Sequence, residues 1–191
     1  MAIRSTDSII FIGCKGCGKT THGKLLAKEW GVEFLDIDEI ILQTTGISAR
    51  ELYIKKGASG FMQVEEIVCK KIAENYADKK IVISTGSGIC DNAPAINVLS
   101  SLGCFVFLKY DIDSNVEKIF SHVFQKEDGS FANLPSYVAV RKPKKIGEVQ
   151  NLIREKFETR YAQYENIADL SILLKEDQTT EENFNAILQM L

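Results

Sequence analysis

Long apolar runs and a strong net charge are both missing from this 191-residue sequence. No stretch approaches the ~20 consecutive apolar residues of a membrane-spanning helix. Residues 1–7 also lack the apolar core of a signal peptide. The 23 basic and 26 acidic residues give a net charge of −3, which argues against nucleic acid or an anionic membrane as the main partner. We therefore expect a cytoplasmic monomer that binds a small molecule, and neither nucleic acid nor a membrane.

Cysteine is scarce and odd in number. Five cysteines do not suit the paired framework of a small secreted protein. Cys14 and Cys17 have C-x-x-C spacing, but a redox or zinc site needs a thioredoxin-like context or a second ligand pair, which this sequence lacks. Redox control through these two thiols stays open as an alternative. Cys69 and Cys104 lie in apolar patterns, which predicts that they are core residues.

The most specific motif is a phosphate-binding loop. Residues 13–20, GCKGCGKT, fit G-x-x-x-x-G-K-[ST], follow the apolar run 9–12 and precede a helical pattern. Gly13, Gly16 and Gly18 would let the backbone fold tightly, so that its N–H groups and the helix N-terminus face phosphate oxygens. Lys19 would then reach the β- and γ-phosphates, and the Thr20 hydroxyl would ligate Mg²⁺. A glycine-rich turn that matches by chance is the alternative.

Hydrophobic periodicity indicates the fold class. Runs such as 9–12, 81–83 and 104–108 are apolar throughout and are separated by helical patterns, which is typical of a parallel sheet covered on both faces. Further strands are predicted at 33–37 and 170–174. This pattern predicts one doubly wound α/β domain over residues 1–191.

Several helices have clear ends in the sequence. Gly31 should end a helix over 21–30, Ser48 and Thr179 should each begin a helix with a capping box, and the glycines of 57–60 should break the helix that Ser48 begins. Helices are also predicted at 61–77, 96–102 and 146–164, and another with residues 116–124 on its apolar side. The apolar faces predicted for 61–77 and 116–124 include Ile67 and Phe124, respectively.

Residues 125–145 break this order, with a polar run, Pro135, Pro143 and the basic run 141–145. Long irregular segments in compact domains are commonly functional, so we interpret this one as a mobile lid. A solvated surface excursion is the alternative. Asp36 and Asp38 are two apart on the predicted strand and would share one side of it, where one could support a metal and the other an acceptor hydroxyl. Acidic residues also suit a helix N-terminus, and spacing alone does not decide between these readings.

The ordered set of motifs resembles the shikimate kinase family from residue 9 to about residue 191. The matching segments are the phosphate loop, FLDIDEII at 34–41, STGSG at 84–88 and the stretch from Arg160 to Asp169. The resemblance implies a three-layer α/β/α P-loop sandwich with a mostly five-stranded parallel sheet and a mobile lid. It also implies Mg²⁺-dependent transfer of the ATP γ-phosphate to the 3-hydroxyl of shikimate, in the pathway to the aromatic amino acids.

The resemblance assigns roles residue by residue. Asp36 would support the metal, and Asp38 would bind the acceptor hydroxyl and take its proton. Gly86 and Gly88 match positions where backbone meets substrate. Arg160 matches an arginine that binds the substrate carboxylate, a task that suits its bidentate fork. On the nucleotide side, the implied ligands include the loop residues named above together with Thr21 and His122.

The sequence departs from the family pattern on the substrate side. Met62 stands where the family has a second carboxylate-binding arginine, and Ser87 replaces the middle glycine of a triple-glycine turn. His122 takes a position near the adenine that is usually an arginine. Arg141, nineteen positions before Arg160, would be the lid arginine that contacts the transferred phosphate, or else a solvated member of a basic run. These departures leave open a kinase for another small hydroxylated acid, and a nucleotide-binding regulatory module without activity.

Overall fold

The computed structural model describes residues 7–191, so nearly all of the stretch assessed for a signal peptide lies outside it. The strands, in chain order, are β1 (Ser8–Ile12), β2 (Glu33–Asp36), β3 (Ile81–Ser84), β4 (Gly103–Lys109), β5 (Phe124–Gln125), β6 (Phe131–Ala132) and β7 (Leu170–Leu173). The helices are α1 (Lys19–Trp30), α2 (Ile37–Thr45), α3 (Ala49–Tyr76), α4 (Ala93–Leu99), α5 (Ile112–Phe120), α6 (Ser136–Ala139), α7 (Ile146–Ile167) and α8 (Thr180–Met190).

Within residues 7–191, five strands form a parallel sheet in the order β2-β3-β1-β4-β7. The central strand β1 is fully buried, and Ile10 pairs with Ile83 on one side and Phe105 on the other. The predicted parallel α/β architecture is confirmed.

Alternate residues of the apolar strands supply two separate cores. Ile10 and Ile12 face a core built with α3, α4 and α7, whereas Ile9 and Phe11 face a smaller core built with α1 and α8. Because helices cover both faces, neither set of side chains needs to be polar. This arrangement explains why these strands have continuous apolar runs rather than alternating ones.

Local capping signals set several helix ends as predicted. Gly31 adopts a left-handed conformation with φ 65°, and its N–H donates to the carbonyls of Ala27 and Lys28 at the end of α1. Ser48 and Thr179 each form a capping box, with Glu51 and Glu182, before α3 and α8.

Some predicted boundaries and faces are wrong. Strand β2 ends at Asp36, because that carboxylate caps α2, which starts at Ile37. Helix α4 covers 93–99 rather than 96–102, because Asn92 caps it by accepting from the N–H of Ala95. Phe124 lies in β5 and is 57% exposed, so it is not on a buried helix face.

Helix α3 is two helical segments joined at Gly57, whose φ of 69° and ψ of −178° are not helical, so the predicted break is confirmed. The apolar face of the second segment is misassigned at one position. Ile67 is 51% exposed, whereas Glu65 is fully buried.

The segment 125–145 has secondary structure of its own. Strands β5 and β6 form an antiparallel pair that leads into α6, and Leu134 and Val138 anchor this part in the larger core. In residues 7–191, no helix has the length and apolar content that a membrane crossing requires. Cys69 and Cys104 are buried, as predicted.

Candidate active site

The phosphate loop connects β1 to α1 with a conformation that needs glycine. Gly13 has φ 147°, and a Cβ there would lie 2.8 Å from both the Leu108 carbonyl oxygen and Cys17 Sγ. Gly16 and Gly18 also have positive φ, 85° and 88°. The tight loop that the motif predicts is therefore present, at the carboxyl end of the central strand.

Lys19 begins α1 and is only 8% exposed. Its Nζ donates to the carbonyl oxygens of Gly13, at 2.8 Å, and Cys14, at 3.0 Å. The ammonium is thus held by the loop to which Lys19 belongs. Burial raises the pKa of the Cys14 thiol to about 12, which keeps it protonated and a poor nucleophile at neutral pH.

The next group of polar atoms joins three elements. Thr20 Oγ1 donates to Asp36 Oδ2 at 2.8 Å and lies 3.3 Å from Ser84 Oγ. The other oxygen, Asp36 Oδ1, accepts from the N–H groups of Asp38 and Glu39 at the start of α2. Asp36 is therefore oriented by a helix N-terminus, which is one of the two readings that the sequence left open.

The carboxylates of Asp36 and Asp38 lie at the start of α2 rather than along a strand. Asp36 precedes α2 and Asp38 lies in its first turn, so the expectation that both share one side of an extended strand is wrong. Both nevertheless line the same cavity. Although the residue is exposed, partial desolvation of the Asp38 carboxyl and then the negative charge of Asp36 raise the pKa of Asp38.

The cavity has a volume of about 560 Å³ and lies between the phosphate loop, the end of β3 and helices α3 and α7. Gly86 and Gly88 line it where β3 ends. A Cβ on Gly86 would lie 2.9 Å from Asp38 Oδ1, and one on Gly88 would lie 3.0 Å from Arg160 Nη2. Glycine at these positions lets the side chains of Asp38 and Arg160 lie close to the turn.

Arg160 is held at this cavity by its neighbours. It is 6% exposed, its Nη2 donates to Asp91 Oδ2 at 3.1 Å, and its guanidinium lies 5.1 Å from the ring centre of Tyr137. Lys156 Nζ lies 3.0 Å from the same Asp91 oxygen. Burial of Asp91 raises its pKa, but Arg160 and Lys156 outweigh this effect and hold the pKa below its ordinary value. Arg160 Nε is buried and has no hydrogen-bond partner in the part of the chain that the structure describes.

Glu65, which the sequence did not single out, is buried beside this cavity. Asn92 Nδ2 donates to Glu65 Oε2 at 2.8 Å and to the Met62 carbonyl at 2.9 Å, whereas Glu65 Oε1 has no partner among residues 7–191. Desolvation raises the pKa of Glu65 to about 7, and Asp38 and Asp91 add to this while Asn92 and Arg160 oppose it. Helical spacing could have predicted the burial of Glu65, because it is four residues from Phe61 and three from Val68 on the buried side of α3.

Glu65 should make stability fall as pH rises. An ordinary glutamic acid loses its proton near pH 4.5, whereas folded Glu65 keeps its proton up to about pH 7. Between these pH values the folded state binds more protons than the unfolded state. The free energy of unfolding therefore decreases as the pH rises from about 4.5 to about 7, by about 3 kcal/mol in total. We expect Glu65→Gln to remove this loss in urea unfolding at pH 5 and pH 8. The exposed Glu74→Gln is the matched control on α3, and an equal pH dependence in Glu65→Gln and the wild type would contradict the prediction.

A second cavity, of about 410 Å³, lies on the other side of the phosphate loop. Thr21, Tyr110 and Lys118 line it, and Lys118 Nζ donates to the Gly16 carbonyl at 3.2 Å. His122 is exposed in the turn after α5 and is not among the lining residues of either cavity described. Lys118 therefore lies beside the loop, and the contact of His122 with the adenine stays a prediction.

The segment 125–145 contributes to the first cavity through Pro135, Ser136 and Tyr137. Arg141 is exposed after α6 and does not line that cavity in this conformation. Its contact with phosphate stays a prediction. Helix α3 contributes Arg50, Tyr53, Phe61 and Met62 to the same cavity. No sequence motif points to Arg50.

Comparisons with known proteins agree on one family. A family model described as shikimate kinase matches residues 15–191. A shikimate kinase from Thermodesulfovibrio yellowstonii is 43% identical over 82 residues, 43% of this chain and 46% of that protein. One from Francisella tularensis subsp. novicida is 37% identical over 114 residues, 59% of this chain and 63% of that protein. The chain thus matches about half to under two thirds of the length of these curated relatives.

Solved structures match over nearly the whole chain. Shikimate kinase from Acinetobacter baumannii in complex with shikimate is 25% identical, with a TM-score of 0.75, over 97% of this chain and 92% of that one. Shikimate kinase from Aquifex aeolicus is 28% identical, with a TM-score of 0.67, over 96% and 95%. The P-loop sandwich architecture is confirmed by these structures.

Proposed function

The chain belongs to the shikimate kinase family, and from that premise we propose that it transfers the γ-phosphate of ATP to the 3-hydroxyl of shikimate. One observation carries the proposal: a phosphate loop, a carboxylate and a buried arginine line a single cavity. The loop suits the donor phosphates, Asp38 suits the acceptor hydroxyl and Arg160 suits the carboxylate of the acceptor. Phosphoryl transfer needs little more than these groups held in line.

On the donor side, the loop N–H groups and Lys19 would hold the phosphates, and the second cavity would take the nucleoside. Thr20 Oγ1 and Asp36 Oδ2 already lie 2.8 Å apart, and hard oxygen donors of this kind fit Mg²⁺, which is commonly held by one or two carboxylates together with phosphates. When bound there, Mg²⁺ would neutralise charge on the β- and γ-phosphates. Thr20 would be a direct ligand, and Asp36 would support the metal.

On the acceptor side, Asp38 would accept the proton of the hydroxyl while Arg160 binds the carboxylate. Arg160 donates to Asp91 through Nη2, and its buried Nε has no partner in the described chain, so the guanidinium keeps donors for a second carboxylate. Gly86 and Gly88 would allow the substrate to approach the backbone at the end of β3. The apolar wall of Phe61 and Met62 suits the carbon ring of such an acid.

The segment 125–145 would close over the bound substrates as a lid. Closure would bring Arg141 to the transferred phosphate, and His122 would contact the adenine. We also propose that the protein acts as a cytoplasmic monomer, which light scattering can test for the purified chain.

An ADP-release assay tests the function. We expect saturable turnover with ATP and shikimate, and a loss of turnover when EDTA removes Mg²⁺ and its recovery when Mg²⁺ is returned. Nucleotide binding measured by calorimetry, without turnover on shikimate, would contradict the proposal and favour a nucleotide-binding module. Turnover only with a different hydroxylated acid would keep a kinase but exclude shikimate as its substrate.

A further inference from the structure

The cations that line the first cavity, which would bind the acceptor and is called the acceptor cavity below, differ in whether they have hydrogen-bond or ion-pair partners within the protein. They are Lys15, Lys19, Arg50, Lys156 and Arg160. Lys19 donates to two loop carbonyls, and Lys156 and Arg160 share Asp91. The side chains of Lys15 and Arg50 form no hydrogen bond or ion pair with the rest of the chain from residue 7 onward. Lys15 belongs to the phosphate loop, so Arg50 is the unpaired cation that α3 presents to the acceptor.

Asp91 weakens the site at which Arg160 would bind an acid. Its carboxylate lies 3.1 Å from Arg160 Nη2, so a substrate carboxylate on the same guanidinium would approach a fixed negative charge. Lys156 offsets part of that charge from 3.0 Å. A further cation that is not committed to Asp91 would make the cavity more favourable for an anion.

Helix α3 offers that cation at one position. Arg50 lies in its first turn, and the capping box of Ser48 and Glu51 fixes where this turn begins. The nearby Lys55 and Lys56 do not line the cavity, and Met62, which does, has no charge. Among the described residues of α3, a charge facing the acceptor therefore comes from Arg50.

We propose that Arg50 determines specificity by binding the carboxylate of the acceptor together with Arg160. This inference rests on the proposed function. It assigns the second contact with the acid to the first turn of α3, because the uncharged Met62 cannot supply it. A guanidinium suits this role because it can bind one carboxylate through two N–H groups.

The test compares shikimate with its methyl ester, which keeps the hydroxyl groups and lacks the charge. For Arg50→Ala we expect KM for shikimate to rise about ten-fold, because a charge-assisted hydrogen bond is lost from a solvent-exposed side chain. We expect kcat to change less than three-fold and KM for the ester to change less than three-fold. Arg50→Lys should recover part of the loss, since it keeps the charge but not the fork. Lys55→Ala, exposed on the same helix, should match the wild type.

The results separate the two levels of the proposal. Wild-type turnover with an unchanged KM for shikimate in Arg50→Ala would overturn the role of Arg50 and leave the kinase assignment intact. An equal rise in KM for shikimate and the ester would also overturn it, since it would indicate a change of shape rather than of charge. Absence of wild-type turnover on shikimate would overturn the proposed function and this inference with it. Circular dichroism verifies that each variant is folded.

Discussion

Asp38→Asn should lower kcat with shikimate about 10³-fold, the middle of the range for loss of a positioned proton acceptor. Asn keeps the size of the side chain and loses the charge that would accept the hydroxyl proton. Asp38 lines the acceptor cavity and its Oδ1 lies beside Gly86, so the substitution acts where the hydroxyl would bind. We expect KM for shikimate to change less than ten-fold and the Kd of ATP less than three-fold.

The neighbouring Glu39→Gln provides the control for Asp38→Asn. Glu39 is also acidic, lies in the first turn of α2 and is exposed, but it does not line the cavity. Its variant should retain at least half of the wild-type kcat. If Asp38→Asn kept more than a tenth of the wild-type kcat, Asp38 would not be the proton acceptor. This result would favour a mechanism in which the protein only holds the two substrates in line.

Much of the fold was predictable because single residues decide it locally. Continuous apolar runs predict strands buried on both faces, and Ile10 and Phe11 pack into the two cores on opposite faces of the sheet. Gly31, Ser48 and Thr179 predict helix ends because each pairs with a backbone group that a helix end would otherwise leave unsatisfied. The transition at Asp36 was not predictable, because its neighbours suit a strand and a helix equally, and hydrogen bonds to Asp36 Oδ1 decide between them.

The site was predictable where a motif fixes the backbone, and less so where tertiary packing places a side chain. The phosphate loop illustrates the first case. Arg50 illustrates the second, because its sequence context is that of any surface arginine, and only the tertiary packing of α3 brings it to the cavity. Glu65 is intermediate, since helical spacing alone would have put it on the buried side. The assignments of Arg141 and His122 stay predictions.

Lys19→Met should lower kcat about 10² to 10³-fold, the effect of removing one preorganised group from developing charge. Methionine has a similar length and no charge. In the structure the ammonium donates to the Gly13 and Cys14 carbonyls, so its loss also leaves two acceptors in the loop without a donor. We expect the free energy of unfolding to fall by about 1 to 3 kcal/mol, and assays at 20 °C with denaturation curves separate this effect from catalysis.

Two further variants show whether charge at the loop is the cause. Lys24→Met removes a lysine that is exposed on α1, away from both cavities, and should retain wild-type kcat. Lys19→Arg keeps the charge in a larger group and should restore at least ten-fold of the kcat that Lys19→Met loses. If Lys19→Met bound ATP as tightly as the wild type and kept more than a tenth of its kcat, charge neutralisation at the phosphates would have to come from Lys15 or Arg141. A substitution of Lys15 or of Arg141 can be combined with Lys19→Met to distinguish the two. Only the loss of the residue that compensates should then abolish turnover.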